Sequence, residues 1–333
     1  MATSEFITHS FSRLEGGEAA LRLRDTVVAP DDRVEDFVNE LKHALQRRAA
    51  RDYGVFSAEN GELGSNLQKY LDGELGDNPF VALSVQWMEK LREVLDELEI
   101  TLQGHVVFVQ EEHLGVQTFY IFVLSLKESM VINHNLEVET TRYVDFGSSL
   151  MAMRAELSLW QAGASKTYLT LAAPRGAGEW GDAFRALCGF ENTVDKKSET
   201  SKFLEAVSGF SMELPDDKVT EFQSQVVDFC IESDKRGEAV AFDELGGVAR
   251  EVGVDADKFV EKLAETQPAD GEKIHVDRNS LKKFMRYVGR EKDLAVSFSS
   301  AMIPERVVYD KDKDELTIKG LPKTLRKQLL DSL

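Results

Sequence analysis

Residues 104–172 alternate apolar and polar side chains with a period of two, and this pattern constrains the fold of the 333-residue chain most strongly. Such alternation is typical of β-strands, in which successive side chains point to opposite faces. The most apolar run, residues 118–126, has the length of a strand. Strands are predicted over residues 106–110, 116–126, 130–132, 137–145, 149–160 and 167–172. We expect residues 149–160 to bury one face, and short turns such as residues 113–115 predict a mainly antiparallel sheet.

Helical spacing is found on both sides of this segment. Residues 31–51 carry apolar side chains three or four apart after an acidic start, and residues 79–99 repeat the pattern. A hairpin over residues 6–13 and 20–24 precedes these helices. Residues 54–76 are predicted to form a loop and a short helix, and residues 179–187 a helix that follows the last strand.

The polar residues 191–200 predict a boundary between two domains. Beyond them, helices are predicted over residues 201–210, 216–235, 242–251, 256–266 and 279–288, then strands over 294–298, 307–310 and 315–318 and a helix from Pro322. We therefore expect an α+β protein with two domains. Residues 1–192 would form a mainly antiparallel sheet with helices. Residues 200–333 would form a helix-rich domain with a small sheet and a basic patch.

The composition argues against several classes of protein. The chain has 40 Lys+Arg and 59 Asp+Glu, a net charge of −19, which disfavours binding of DNA or an anionic membrane over the whole surface. Neither a secretory signal nor a run of about 18 apolar residues is present, so no membrane partner is predicted. The two cysteines, Cys188 and Cys230, are too few for a disulfide scaffold. We expect a protein of the reducing cytoplasm.

The motifs that suggest catalysis or metal binding lack residues or neighbouring strands that such sites require. Residues 176–181 fit G-x-G-x-x-G, but no second parallel strand follows them, as a dinucleotide site requires. Three aspartates in residues 310–314 have the spacing of calcium ligands, but Glu315 and Leu321 replace the required Gly and Glu. The six histidines are isolated, and neither cysteine has a catalytic signature. We predict no catalytic residue, no metal and no cofactor, and hence a protein that is not an enzyme.

One segment reverses the acidic balance. Residues 1–100 contain 11 basic and 20 acidic side chains, whereas residues 273–292 contain seven basic and two acidic ones. Four basic residues in this segment are three or four apart, so on a helix they would share one side. They are Lys282, Lys283, Arg286 and Arg290, and a second cluster comprises Lys319, Lys323, Arg326 and Lys327. Such a face can neutralise phosphates. The alternative is a solvated face paired with acids elsewhere in the chain.

Several segments also share their order and spacing with a known family. They are residues 53–56 (YGVF), 142–145 (RYVD), 154–160 (RAELSLW), 168–170 (YLT), 277–281 (DRNSL), 316–322 (LTIKGLP) and 325–329 (LRKQL), together with Phe184, Phe190, Phe284 and Gly289. Over nearly its whole length, the chain resembles the bacterial 37-kDa nucleoid-associated protein family. The resemblance implies a cytoplasmic protein of the nucleoid with a DNA-linked function. One departure is the glycine loop, which is rich in Lys and Arg in the family but retains only Arg175 here.

Together these observations lead to one main hypothesis and two alternatives. We expect a nucleoid-associated protein that contacts double-stranded DNA through backbone phosphates. The contact residues would be Lys282, Lys283, Arg286 and Arg290, followed by Lys323, Arg326 and Lys327. The alternative is an acidic adaptor that reaches the nucleoid only through a partner, such as a DNA-processing protein. The third is an enzyme of phosphate or nucleotide chemistry, supported only by the glycine loop. The sequence leaves open a homodimer, because residues 118–126 fit either the centre of one sheet or a strand across two copies.

Overall fold

A computed structural model describes residues 2–59, 61–147, 150–163, 165–174, 176–299, 302–303 and 306–331. The chain divides into two compact units. Unit 1 comprises Met1–Asp195, Lys235–Gly237 and Pro268–Gly271, and unit 2 comprises Lys196–Asp234, Glu238–Gln267 and Glu272–Leu333. The domains expected over residues 1–192 and 200–333 stay a prediction.

Unit 1 is built on one large antiparallel sheet. Its strands are β1 (Ala2–Arg13), β2 (Ala20–Arg22), β3 (Arg51–Phe56), β4 (Leu102–His113), β5 (Val116–Ile132), β6 (Val138–Val144), β7 (Met151–Glu156), β8 (Leu169–Ala172) and β9 (Phe190–Asn192). The order across the sheet is β2-β1-β4-β5-β7-β8-β3-β9, and β6 pairs with β5. Its helices are α1 (Asp32–Arg47), α2 (Glu62–Leu71), α3 (Pro79–Glu97), α4 (Leu157–Ala162) and α5 (Gly178–Leu187).

Both faces of this sheet are buried at its centre. On one face, alternate residues of β4 and β5, such as Phe108 and Ile121, pack with Trp87 of α3. On the other face, the intervening residues, such as Val107 and Phe122, pack with residues of α1 that include Leu41. β5 lies between β4 and β7, so the apolar run 118–126 is central in one sheet. A strand that is buried on both faces has apolar residues at successive positions, which explains the composition of residues 118–126.

The observed strands differ from the predicted ones at several points. Residues 149–160 are not one strand with one buried face: β7 is buried on both faces and ends at Glu156, its last residue paired with β5. The chain then turns into α4. Residues 130–132 are the end of β5 and not a separate strand. β3 and β9, which the sequence pattern did not predict, pair with each other, and β3 also pairs with β8.

Gly54 explains how β3 and β9 fit side by side. A Cβ atom built on Gly54 would lie 1.9 Å from the carbonyl oxygen of Glu191 in β9. Only glycine permits this approach of two backbones. A glycine within a strand weakens its sequence signal, so residues 54–76 resembled a loop.

Unit 2 is mainly helical. Its helices are α6 (Lys196–Ser211), α7 (Asp216–Arg236), which continues into the short segment assigned to unit 1, α8 (Phe242–Val252), α9 (Ala256–Ala264), α10 (Arg278–Phe284) and α11 (Lys323–Asp331). Its strands form three antiparallel pairs: β10 (Val240–Ala241) with β11 (Lys273–Ile274), β12 (Arg286–Glu291) with β13 (Leu294–Ser299), and β14 (Val307–Asp310) with β15 (Glu315–Ile318). The expected α+β class is therefore confirmed.

A group of phenylalanines forms the centre of the core of unit 2. The rings of Phe210, Phe222 and Phe259 have centroids 5.0–5.3 Å apart, and all three side chains are buried. Aromatic pairs at such distances add about 0.5–1.5 kcal/mol beyond the burial of their area. α6 begins at Lys196, within the polar stretch predicted as a linker. Its Thr200 is buried and accepts a hydrogen bond from the backbone nitrogen of Asp277, which ties α6 to the start of α10.

Candidate nucleic-acid interface

Helix α10 holds the first predicted contact residues and is anchored by its N-cap and by a buried leucine. The Asp277 carboxylate caps the helix by accepting hydrogen bonds from the backbone nitrogen and hydroxyl of Ser280, at 2.9 and 2.8 Å. Leu281 is fully buried in the core of unit 2. This anchoring directs Lys282 and Lys283, in the last turn, toward solvent. Among the described residues, neither lysine forms a salt bridge.

Arg278, one turn earlier, has a different role. Its guanidinium forms an ion pair with the Asp234 carboxylate and donates a second hydrogen bond to the Asp234 carbonyl oxygen at 2.9 Å. The side chains of Arg278 and Asp234 are only 13% and 3% exposed. Arg278 therefore joins α10 to α7, and it is not available as a surface cation.

The predicted helix over residues 279–288 is wrong in its second half. α10 ends at Phe284, and β12 begins at Arg286. β12 and β13 form a hairpin in which Glu291 pairs with Leu294, so the turn contains two residues. This pairing replaces the last helical turn, and Lys282 and Lys283 do not share a helix face with Arg286 and Arg290. The side chains of Arg286 and Arg290 lie outside the described part of the structure.

The second basic cluster lies on α11, as the sequence predicts. Lys323, Arg326 and Lys327 are three and four residues apart, which places them on one side of the helix. All three are exposed, as is Lys319 just before the helix. Within the part of the chain that the structure describes, none of these four residues forms a salt bridge. The seven predicted contact residues thus occupy three separate elements of unit 2.

The two glycine- and aspartate-rich motifs form turns. Gly176 and Gly178 have φ angles of +81° and +54° and lead into α5, while Arg175 lies outside the described residues. β8, before the motif, and β9, after it, each pair antiparallel with β3. They therefore run parallel to each other, contrary to the prediction, but β3 lies between them, so the motif does not join two paired parallel strands. In the β14–β15 turn, the Asp310 carboxylate accepts hydrogen bonds from the backbone nitrogens of Asp312 and Lys313. This is the charged hairpin turn that the sequence predicts.

The described residues include no group of three or more His, Cys, Asp or Glu side chains arranged to hold a metal ion. Both cysteines, Cys188 and Cys230, are fully buried, and burial raises the pKa of each thiol. A thiol with a raised pKa is a poor nucleophile, so the cysteines serve as core residues. None of the described helices combines the length and the apolar character needed to cross a membrane.

A buried polar cluster on the sheet of unit 1 was not predicted. The Lys42 ammonium of α1 lies 2.7 Å from the Glu111 carboxylate of β4, with side chains 12% and 1% exposed. Nearby, burial raises the pKa of Tyr120 to about 12. On β7, Arg154 is paired with Glu156 at 2.9 Å. No sequence signal distinguishes Glu111 from the others among 59 acids, because its partner Lys42 lies 69 residues earlier in the chain.

These features define a class: an α+β protein in two units that exposes unpaired cations on short C-terminal elements. The family model described as nucleoid-associated protein YejK matches residues 7–326. The chain belongs to this family. Membership associates the protein with the nucleoid, in the cytoplasm, and indicates no enzymatic activity.

Curated relatives have the same description. A nucleoid-associated protein from Pseudomonas putida strain F1 is 29% identical over 323 residues, which cover 95% of this chain and 94% of the relative. One from Pseudomonas entomophila is 29% identical over 320 residues, with the same coverage. Another, from Metapseudomonas resinovorans, is 27% identical over 338 residues and covers 99% of both chains. The similarity therefore extends over both units.

Proposed function

We propose that this protein binds double-stranded DNA without catalysis, and that the exposed cations of unit 2 contact backbone phosphates. The observation that carries the proposal is a group of exposed cations in unit 2 that have no acidic partner among the described residues. Other cations of the chain are paired: Arg13, Lys42 and Arg278 each form an ion pair with an acid. In unit 2, Lys282 and Lys283 on α10 and the cluster on α11 are exposed, and they form no salt bridge with any described residue. Family membership agrees with a nucleic-acid partner.

Unpaired cations can contribute to DNA binding because they release counterions from the duplex. Each phosphate that a cation neutralises changes the slope of log K against log[salt] by about −0.9. A paired cation such as Arg278 contributes less, because its charge is already compensated by Asp234. Phosphate contacts carry little sequence information, so we propose binding that tolerates many sequences. Arg286 and Arg290 remain part of the proposed contact on the basis of charge.

The test is a charge reversal measured by DNA titration at several salt concentrations. In a Lys282→Glu/Lys283→Glu variant, we expect the affinity for duplex DNA to fall roughly 10- to 100-fold near 0.1 M salt, and the slope to decrease in magnitude by about 1.8. A Lys323→Glu/Arg326→Glu/Lys327→Glu variant tests α11 in the same way. These side chains are exposed, so the fold should be retained.

A matched control separates a local contact from a change in net charge. Arg22→Glu/Lys69→Glu alters the charge by the same amount at two exposed residues of unit 1 that form no salt bridge with described residues. We expect this control to change the affinity much less than the α10 variant. Unchanged affinity and salt slope in both unit 2 variants would reject the proposal. The adaptor hypothesis then takes its place, and it predicts that a protein partner is retained in a pull-down after nuclease treatment.

A further inference from the structure

A long hairpin of unit 1 continues past the end of the large sheet. The pairing of β5 with β4 ends at Ser125, but β5 itself extends to Ile132. From Leu126 onward β5 pairs with β6, and the two strands are joined by a short turn after Ile132. We call residues 126–144 the β-arm. A two-stranded hairpin without further support is marginally stable in water, so a partner surface would stabilise it.

The distal part of the β-arm exposes several apolar side chains. Met130, Ile132, Leu136 and Val138 are 78%, 71%, 85% and 69% exposed, respectively. Ile132 is paired directly with Val138, and Met130 lies two residues before Ile132, so these three side chains share one face. Together with Leu136 in the turn they form an exposed apolar tip. Contiguous exposed apolar side chains are a common feature of sites that bind other proteins.

The charges on the β-arm do not favour DNA. Its two cations are both engaged: Lys127 lies 2.9 Å from the Asp145 carboxylate, and Arg142 lies 2.9 Å from that of Glu128. Two more acids, Glu137 and Glu139, lie near the tip and have no cation beside them in sequence. A β-arm that binds DNA needs unpaired cations along its length to neutralise phosphates.

We propose that the occupant of this apolar tip is the β-arm of a second copy of the chain, so that two arms pack around a twofold axis. An isologous contact brings the same patch of both copies together, and one apolar patch is complementary to itself. The outer edge of β6 also supports this proposal. Among the described strands, β6 pairs only with β5, and its sequence contains neither Pro nor Lys, the residues that commonly protect an exposed edge.

Because each copy has a net charge of −19, two copies are more easily joined through their β-arms than through the rest of the chain. Two acidic copies repel, but this repulsion is screened beyond about 8 Å at physiological salt. The seven residues of β5 in the β-arm span roughly 23 Å at about 3.3 Å per residue, which keeps the bodies apart. The apolar tip supplies part of the roughly 800 Å² per partner of a typical interface, so we expect a dissociation constant in the micromolar range.

Sedimentation velocity on the full-length protein, at 1–100 µM and 150 mM salt, tests this inference. We expect the wild type to dimerise over this range. In an Ile132→Glu/Val138→Glu variant, like charges would face each other across the twofold axis, and we expect the dissociation constant to rise about 100-fold or more. The control is Leu114→Glu, which makes the same kind of change at a leucine 91% exposed at the opposite end of β5. We expect Leu114→Glu to dimerise like the wild type.

Site-directed crosslinking gives a second readout. Cys188 and Cys230 are buried, so a single Thr140→Cys, paired with Met130 on the face of the apolar tip, would be the reactive thiol. We expect it to form a disulfide-linked dimer under mild oxidation, and Leu114→Cys to form much less of this dimer.

A wild type that is monomeric at 100 µM in sedimentation velocity overturns the proposal, as does an Ile132→Glu/Val138→Glu variant that dimerises as well as the wild type. A monomeric wild type whose DNA affinity falls in the double variant would assign the tip to DNA and would also overturn it. The inference does not depend on DNA binding by unit 2.

Discussion

Acidification should destabilise this protein through His9, a histidine of β1 that is only 2% exposed. Its Nδ1 accepts a hydrogen bond from the backbone nitrogen of Arg24 at 3.1 Å, and its Nε2 lies 2.9 Å from the Ser84 hydroxyl. That hydroxyl donates to the carbonyl oxygen of Val81, so it accepts from Nε2. The imidazole is therefore held neutral, with its proton on Nε2. Burial, and secondarily the positive charge of Arg24, lower the pKa of His9 from 6.5 to about 4.

The size and sign of the effect follow from this shift. The unfolded chain binds the proton near pH 6.5, whereas the folded chain binds it only near pH 4. Between these values the unfolded state holds more protons, so the free energy of unfolding decreases as the pH falls. The full shift corresponds to about 3 kcal/mol, of which about 2 kcal/mol is lost between pH 7 and pH 5.

Urea unfolding at pH 7 and pH 5 measures this loss. Carboxylates also titrate as the pH falls, so the informative quantity is the difference between the wild type and a His9→Gln variant. We expect the wild type to lose about 2 kcal/mol more than His9→Gln over this range. His113→Gln, at an exposed histidine in the β4–β5 turn, should behave like the wild type. Equal pH dependence of the wild type and His9→Gln would show that His9 is not held neutral by the fold.

Two further predictions concern unit 1. Lys42→Met removes the partner of the Glu111 carboxylate, which is 1% exposed, and should lower the free energy of unfolding by about 3–5 kcal/mol at pH 7. Adding Glu111→Gln to this variant should restore part of the lost stability. A Lys42→Met protein that is as stable as the wild type in urea unfolding would contradict this reasoning. Gly54→Ala would place a Cβ atom 1.9 Å from the Glu191 carbonyl oxygen and should cost about 1–3 kcal/mol. Hydrogen exchange should show loss of protection in β9 while β1 keeps its protection, and unchanged exchange in β9 would refute the close approach.

The elements that the sequence predicts well are those set by local signals. α1 begins after Asp31, whose carboxylate accepts a hydrogen bond from the backbone nitrogen of Val34, as expected for an N-cap. α3 begins at Pro79, which is favourable at the first position of a helix. β4 and β5 are neighbours in both sequence and sheet, and the turn at Leu114 and Gly115 connects them directly. In each case the information lies within a few residues.

The elements that the sequence does not predict depend on distant partners. β3 pairs with β8 and β9, more than 100 residues further along the chain, so no local pattern indicates it. Residues 279–288 contain apolar residues at helical spacing, but pairing with β13 turns their second half into a strand. The same limit applies to the proposed interface. In sequence Arg278 resembles Lys282, and only the fold shows that Asp234 already neutralises Arg278.

The exposed, unpaired cations of unit 2 reconcile the acidic composition with the proposed contact to DNA. Repulsion between exposed charges is screened beyond about 8 Å at physiological salt, so the potential next to a phosphate depends on the nearest side chains and less on the total of −19. A few cations per copy give weak, salt-sensitive binding. Two copies joined through their β-arms would present two such surfaces. Where both reach one duplex, the second contact becomes intramolecular, and the overall affinity exceeds that of either surface alone. Dimerisation and DNA binding, proposed from separate parts of the chain, would then strengthen each other.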